Sequence, residues 1–499
     1  MAERAPMDRS GWVAGESLLL AGLSFVAYVL LRQEALHGTD WRWLVLWLDE
    51  PGAVHPQHPG YLPIARAVRW LLQPLGLDVY TALCVYSALG TSLAVAAVHQ
   101  ASYALQGDRA FARAAALLVL WVPALFHFGT VVELHGPFAG VMAMAVLCAV
   151  FQARSGSPAT AVCAGAFSGV AALMHATGQL LVPAIGLSVW WAGRARGFWR
   201  GLNGALLFGA THALVFGGAF LAMRLLGHLP ASVAGFAGVP DDPAAPNNPL
   251  AYLARWWRDV DLVAQVAPTL LVEWLVPYAP LSVLAFLAFR VRALRVWAAG
   301  FAVAVAVYLL VTVALVHAVT DERGAYLLPL AVPAAWLSLL ALPRRLWPWL
   351  VLLTIGCGFA FRGEPGRLPP DRVFGRAADR LAKVHRTTFF VADFPEMDGA
   401  FVENASLDLL VARKEYDELR ATQRQTVAFE PSPEQVVAWL SLLALQQRQK
   451  GAEFVITARA VQWLEERVPA FAAAWPRFVQ QVQATPLPAA AGFAGYLVR

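Results

Sequence analysis

Residues 38–61 read GTDWRWLVLWLDEPGAVHPQHPGY, and this stretch holds Asp40, Asp49, Glu50, His55 and His58. Such density is notable in a chain where Asp, Glu, Lys and Arg make up 14% of residues, against roughly 25% in an ordinary soluble domain. Trp41, Leu44, Val45 and Leu48 recur at helical spacing, so the segment between the acidic positions reads as a short amphipathic helix suited to a membrane interface. Two prolines and a glycine stiffen His55-Pro56-Gln57-His58-Pro59-Gly60-Tyr61, which holds the two imidazoles and the phenol in place. The stretch reads as half of an active site at a bilayer surface, with later loops on the same side supplying the rest.

The flanks explain why a bilayer is expected. A chain of 499 residues that is 59% hydrophobic cannot hide that much apolar surface in a soluble fold. At roughly 20 mostly apolar residues per span, about eleven spans lie near residues 14–32, 79–105, 112–129, 136–153, 158–175, 177–193, 202–226, 262–289, 296–318, 325–343 and 346–361. The first run ends at Arg32 with no small-residue cleavage site and reads as an uncleaved span. After Phe361 charged residues become common; TTFFVADF and AEFVITARA read as strands, and AVQWLEERV as a helix. The expected fold is thus mostly α: a polytopic membrane domain over 1–361 with about 11 transmembrane helices and a catalytic outer loop at 33–78. A small soluble α/β domain over 362–499 follows, on the outer side.

The arginines give an independent check. With a cytoplasmic amino terminus, the inside loops carry Arg109 and Arg113, Arg154, Arg194 to Arg200, Arg290 to Arg295, and Arg344 with Arg345. The short outside loops after the third and fifth spans have no Lys or Arg, as the positive-inside rule requires. The net charge of +5 is spread thinly with no basic face, which argues against nucleic acid. Cys84, Cys148, Cys163 and Cys357 sit in apolar runs and fit neither a disulfide framework nor a zinc site.

On this topology the ionisable groups collect outside. The first loop continues into LPIARAVRWLLQPLG, a second interfacial helix with Arg66 and Arg69. VVELHG carries Glu133 and His135; the next outer turn has His175 beside Thr177 and Gln179; TDERGAY holds Asp321, Glu322 and Arg323. Each has a plainer reading. Asp40 suits a helix N-cap, and Asp49 and Glu50 a solvated helix end. Glu133, His135 and His175 suit packing at a span end, and Arg323 suits pairing with its acidic neighbours. His55 and His58 with an acid are a conceivable divalent-metal set, although the spacing matches no strong signature. Mid-span His99, His127 and His212 read as packing residues, and Gly165 with Gly169 as a weak helix-contact signal.

Taken together and in order, these motifs resemble the GT-C membrane glycosyltransferases, and within them the protein O-mannosyltransferase-like branch. The likeness rests on Asp40, then His58-Pro59-Gly60-Tyr61 with one proline missing, VVELHG, LMHATGQLLVPAIGL and TDERGAYLLPL, across the first 340 or so residues. It implies inverting transfer of a sugar, hexose or mannose, from a polyprenyl-phosphate donor to a hydroxyl of a glycan, lipid or protein. Asp40 is then the base, with Glu50 and Asp49 as competitors. Arg323, Arg66, Arg69, His58 and Tyr61 would bind the donor phosphate; Glu133, His135, His175, Asp321 and Glu322 would bind sugar or acceptor. A phosphate leaving group beside arginines needs no metal in principle, and a divalent metal stays open. The implied location is a bacterial inner membrane with the carboxy-terminal domain periplasmic. The rival readings are a non-catalytic transporter or lipid flippase, and an inactive scaffold subunit of cell-envelope glycan assembly. A transporter would place its ionisable groups near mid-bilayer, in repeats with broken helices.

Overall fold

The computed structural model describes residues 10–33, 44–45, 47–48, 50, 52–55, 58–228, 268–316, 323–362, 371–392, 394–404, 407–412, 431–488 and 491–498. The chain divides into two compact units. One comprises Met1–Gln33, Trp47–Leu77 and Thr81–Gly363, the other Glu34–Leu46, Asp78–Tyr80 and Glu364–Arg499.

The first unit is helical: α1 (Ser10–Leu30), α2 (Tyr61–Leu72), α3 (Val79–Gln106), α4 (Arg109–Trp121), α5 (Pro123–Thr130) and α6 (His135–Ser155). It continues with α7 (Pro158–Met174), α8 (Val182–Arg194), α9 (Phe198–Leu225), α10 (Arg295–Val316), α11 (Ala331–Ala341) and α12 (Trp347–Phe361). Leu206, Leu214, Leu221 and Leu225 on α9 are exposed, a surface that suits hydrocarbon and not water. Among the described residues five helices are by themselves long and apolar enough to cross a membrane, and α4 with α5 would make a sixth as one bent span. The eleven runs expected from hydropathy are therefore not eleven uniform helices. Proline and tight turns break several of them at one end. The run near 112–129 bends by 60° before Pro123. Residues Ala176–Leu181 and Ala325–Leu330 are 3-10 turns ahead of α8 and α11, and Leu270–Leu275 is a π turn. Irregular backbone is tolerated at membrane depth where protein covers it, and Thr177, Leu327, Leu328 and Pro329 are buried.

Small residues set the tightest contacts. A side chain at Gly165 would place its Cβ 2.3 Å from the carbonyl oxygen of Phe208, and one at Gly169 would meet Val215 at 2.9 Å. The GxxxG pair thus lets α7 lie directly on α9.

Arginines tie one end of the helices together. Arg113 pairs with Glu16, Arg344 pairs with Asp108, Arg154 donates to the Ala104 carbonyl, and Arg196 donates to that of Ala153. These contacts join the starts of α1 and α4 to the ends of α3 and α6 and to the loop before α12. The remaining ends of α1, α5, α7 and α12, and the start of α6, lie at the opposite end, which holds the candidate site.

The second unit contains a five-stranded sheet in the order β2-β1-β3-β5-β4, formed by β1 (Thr387–Val391), β2 (Asp408–Val411), β3 (Glu453–Thr457), β4 (Thr485–Pro486) and β5 (Gly495–Val498). β1 runs parallel to β2 and β3, whereas β5 is antiparallel to β3 and β4. Alternation sorts the side chains between two faces. Phe389, Val391 and Val455 pack with α13 (Arg372–Val384) and α14 (Phe394–Glu403). Phe390, Phe454 and Ile456 pack with α15 (Pro433–Gln449), α16 (Ala458–Arg467) and α17 (Phe471–Gln481). The strand readings of TTFFV and EFVIT and the helix reading of AVQWLEER agree with this. β2, β4 and β5 are short and were not legible.

Candidate active site

The turn before α2 is held against the end of α7. His58 N–H donates to the His55 carbonyl at 3.2 Å, Tyr61 N–H to that of His58 at 3.1 Å, and Gly60 N–H to that of Leu173 at 3.0 Å. A Cβ at Gly60 would fall 2.8 Å from the Leu173 Cβ, so only glycine lets the two segments meet this closely. Four imidazoles then form a ladder of ring contacts, one stacked and two tilted. His55 and His58 have ring centroids 4.6 Å apart, His58 stacks on His175 at 4.8 Å and 9°, and His175 meets His135 at 4.9 Å. Tyr326, three residues beyond Arg323, adds its ring 5.5 Å from His175. All four histidines are buried.

Two of these imidazoles, His135 and His175, have their protonation set by partners. Glu133, 3% exposed, accepts from the Leu134 N–H at 2.9 Å and from His135 Nδ1 at 3.1 Å. With its proton on Nδ1, His135 keeps Nε2 as the basic nitrogen. His175 caps the 3-10 turn after α7: its Nδ1 accepts from the Thr177 N–H at 3.3 Å and lies 2.6 Å from Thr177 Oγ1, which leaves the proton on Nε2. Burial, followed by repulsion from His175, His55 and His135, holds the His58 pKa well below the usual imidazole value. Burial and the charges of His135 and His55 do the same to His175. Both rings are therefore neutral near pH 7. Tyr61 is fully buried against Tyr86, with centroids 5.3 Å apart. Burial first, then Tyr86 and Glu133, push its phenol well above its ordinary pKa.

Arg323 enters from a different turn. It is 4% exposed, its backbone lies in the left-handed region at φ 55°, and Gly324 follows at 80°. Two buried groups pin this turn. Glu273 Oε2 accepts the Gly324 N–H at 2.9 Å, and the Tyr278 hydroxyl donates to the Gly324 carbonyl at 2.6 Å. The Arg323 guanidinium lies 4.1 Å above the Phe361 ring and donates to the Phe361 carbonyl.

Sequence candidates therefore separate into groups. His58, Tyr61, Glu133, His135 and His175 converge. Arg323 joins them through its turn, while its guanidinium rests on Phe361. Glu50 is exposed, as a solvated helix end would be. Arg66, expected to serve the phosphate, donates to the carbonyls of Leu48, Trp47, Glu50 and Ala53. Arg69 lies half-buried three positions further along α2. Asp40, Asp49, Asp321 and Glu322 lie outside the described residues. No group of three or more His, Cys, Asp or Glu side chains placed to hold a metal occurs among the described residues.

Several contributors were not picked out in advance. Glu273 is fully buried; its signal was a lone carboxylate inside the apolar run LLVEWLVPY. Gln33, at the end of α1, donates to Thr130 Oγ1 at 2.7 Å and lies 3.4 Å from His127 Nδ1. His127, read as a packing residue, thus stands at this same end.

Apolar helices tied by arginines at one end and gathering buried histidines and acids at the other, followed by an α/β unit, make a fold that the chain shares with a solved protein. The structure is similar to that of ArnT from Cupriavidus metallidurans bound to undecaprenyl phosphate, with a TM-score of 0.56, 14% identity and 98% coverage of both chains. It is also similar to the archaeal oligosaccharyltransferase AglB from Archaeoglobus fulgidus in complex with an inhibitory peptide and a dolichol-phosphate. There the TM-score is 0.48 and identity 12%, over 96% of this chain and 74% of that one. No protein-family model matches the sequence, and no curated protein matches it.

Proposed function

We propose that this protein is a membrane glycosyltransferase that moves a sugar, a hexose such as mannose, from a polyprenyl-phosphate-linked donor to an acceptor hydroxyl, with inversion. The observation that carries this reading is the buried convergence of His58, Tyr61, Glu133, His135 and His175 at the helix end opposite the arginine ties. The fold shared with ArnT, whose solved structure holds undecaprenyl phosphate, supports the donor class.

In the reaction the acceptor O–H bond breaks as its oxygen attacks the anomeric carbon. The C–O bond to the lipid phosphate breaks on the opposite face, and the phosphate keeps the electron pair. A carboxylate within hydrogen-bond reach of the acceptor takes the proton: Asp40 is the first assignment, Glu50 the second, and Asp49 lies beside them. The charge growing on the phosphate needs fixed donors. Arg323 and Arg69 supply positive charge, and neutral His58 with Tyr61 supplies hydrogen bonds. Glu133, His135 and His175 engage hydroxyls of sugar or acceptor, with Asp321 and Glu322 flanking the Arg323 turn. The acceptor is a glycan, lipid or protein hydroxyl, and the first-loop motif favours the O-mannosyltransferase-like kind. The amino terminus is cytoplasmic. Loop 33–78 and the soluble domain over 362–499 face outward, to the periplasm of a bacterial cell.

Full-length protein in lipid nanodiscs, given a panel of polyprenyl-phosphate sugars and acceptors, should consume at least one donor and release polyprenyl phosphate. Asp40→Asn or Glu50→Gln should abolish this. The reading fails if wild type consumes none, and the base assignment fails if both variants keep full turnover.

A further inference from the structure

We infer that Arg66 is a positioning residue, whose guanidinium gathers the carbonyls of Trp47, Leu48, Glu50 and Ala53 and so fixes the path of the first loop into His55 and His58. From its place in α2, Arg66 Nε donates to the Leu48 carbonyl at 3.1 Å. Its Nη2 lies 2.6 Å from the Trp47 oxygen and 2.7 Å from those of Glu50 and Ala53, so three acceptors share two hydrogens. These carbonyls belong to consecutive turns: Glu50 N–H donates to Trp47 and Ala53 N–H to Glu50, at 3.3 and 3.2 Å. Trp47 and Leu48 are helical, and the last carbonyls of a helical turn lack intrahelical donors and carry partial negative charge. A planar, permanently charged fork answers both needs, whereas a lysine ammonium offers one point on a flexible stem.

The clamped segment is connected to the ladder. The Trp47 ring meets His55 edge-on at 5.6 Å, and His55 meets His58 at 4.6 Å. On its far side Gly52, at φ 81°, would bring a Cβ within 2.9 Å of the His228 ring, so the segment is also pressed against the chain leaving α9. Releasing the carbonyls lets this segment drift and shifts both imidazoles. The consequence for turnover rests on the glycosyl-transfer reading above; the consequence for the loop does not.

Hydrogen–deuterium exchange on the full chain in nanodiscs tests this, comparing wild type, Arg66→Lys and Arg66→Ala. Backbone amides over residues 47–58 should exchange at least tenfold faster in both variants, with the other helices unchanged. The lysine variant keeps the charge and guards against a misfolded alanine variant. In the transfer assay kcat should fall at least tenfold, with the donor KM within twofold of wild type. Unchanged exchange over 47–58 overturns the inference, and if the donor KM then rises tenfold Arg66 is a phosphate ligand. Global loss of protection in both variants also overturns it. If wild type transfers no sugar, the function reading fails, and the exchange result still decides the role of Arg66.

Discussion

Replacing Gly60 by alanine tests whether the site depends on the contact between the first loop and α7. The new Cβ would lie 2.8 Å from the Leu173 Cβ, 3.2 Å from its carbonyl carbon and 3.3 Å from its oxygen. Carbon atoms sit comfortably at about 3.5–4.0 Å, so one segment must retreat by about 1 Å. Gly60 has φ −81°, a conformation alanine adopts freely, so any loss reports the contact and not backbone strain. Overpacking costs about 1–3 kcal/mol, and weakening the Gly60 to Leu173 hydrogen bond adds about 1 kcal/mol. Because His58 and His175 each stand two residues from the clash, the same displacement opens their stack. Misplacing positioned groups by about 1 Å costs about 100-fold in rate. Purified Gly60→Ala should show a lower apparent melting temperature and a transfer rate reduced by about that factor. Wild-type values for both would refute the reasoning. A lowered melting temperature with full turnover would separate the histidine stack from the chemistry.

Folding keeps His58 and His175 neutral below the pH at which an unfolded chain protonates them, so the unfolded state binds more protons as acidity rises. Their contribution is complete above about pH 6.5 and is lost as pH falls toward their depressed folded values. Chemical denaturation between pH 5 and 7.5 should show this slope, and His175→Phe should flatten it; equal slopes would mean the imidazoles are solvated. Arg323→Gly relieves the left-handed backbone while deleting the guanidinium. The protein should remain folded while turnover drops about 100- to 1000-fold, and retained turnover would remove Arg323 from the chemistry. Glu273→Ala leaves the buried Gly324 N–H without its acceptor at a cost of about 1–3 kcal/mol, read as a lower melting temperature, and Glu273→Gln should recover most of it. Gly165→Ala should destabilise by about 1–3 kcal/mol through the clash with Phe208. Stability equal to wild type would mean that α7 and α9 do not pack as closely as described.

The architecture was legible because apolar run length and arginine placement are local properties. Arg113, Arg154, Arg196 and Arg344 were assigned to one end from their loops alone, and their contacts lie together there. The histidines and Glu133 were legible as ionisable groups at span ends, since such residues are costly in hydrocarbon. Two of the five strands were readable because Phe389, Phe390 and Val455 form buried runs; two- to four-residue strands carry too little periodicity.

What each group faces was settled only by folding. Sequence spacing cannot say that His58 meets His175, 117 positions away, because their stack depends on Gly60 and Leu173 touching. It cannot say that Arg66 turns to backbone carbonyls, because every loop offers carbonyls and only the path of the chain brings four of them to one guanidinium. In sequence Glu273 is one acid in an apolar run, and only the folded chain brings it the Gly324 N–H it accepts. Hydrophobicity and charge act residue by residue and can be read from a line of letters, whereas hydrogen bonds and ring contacts depend on distances that only the folded chain determines.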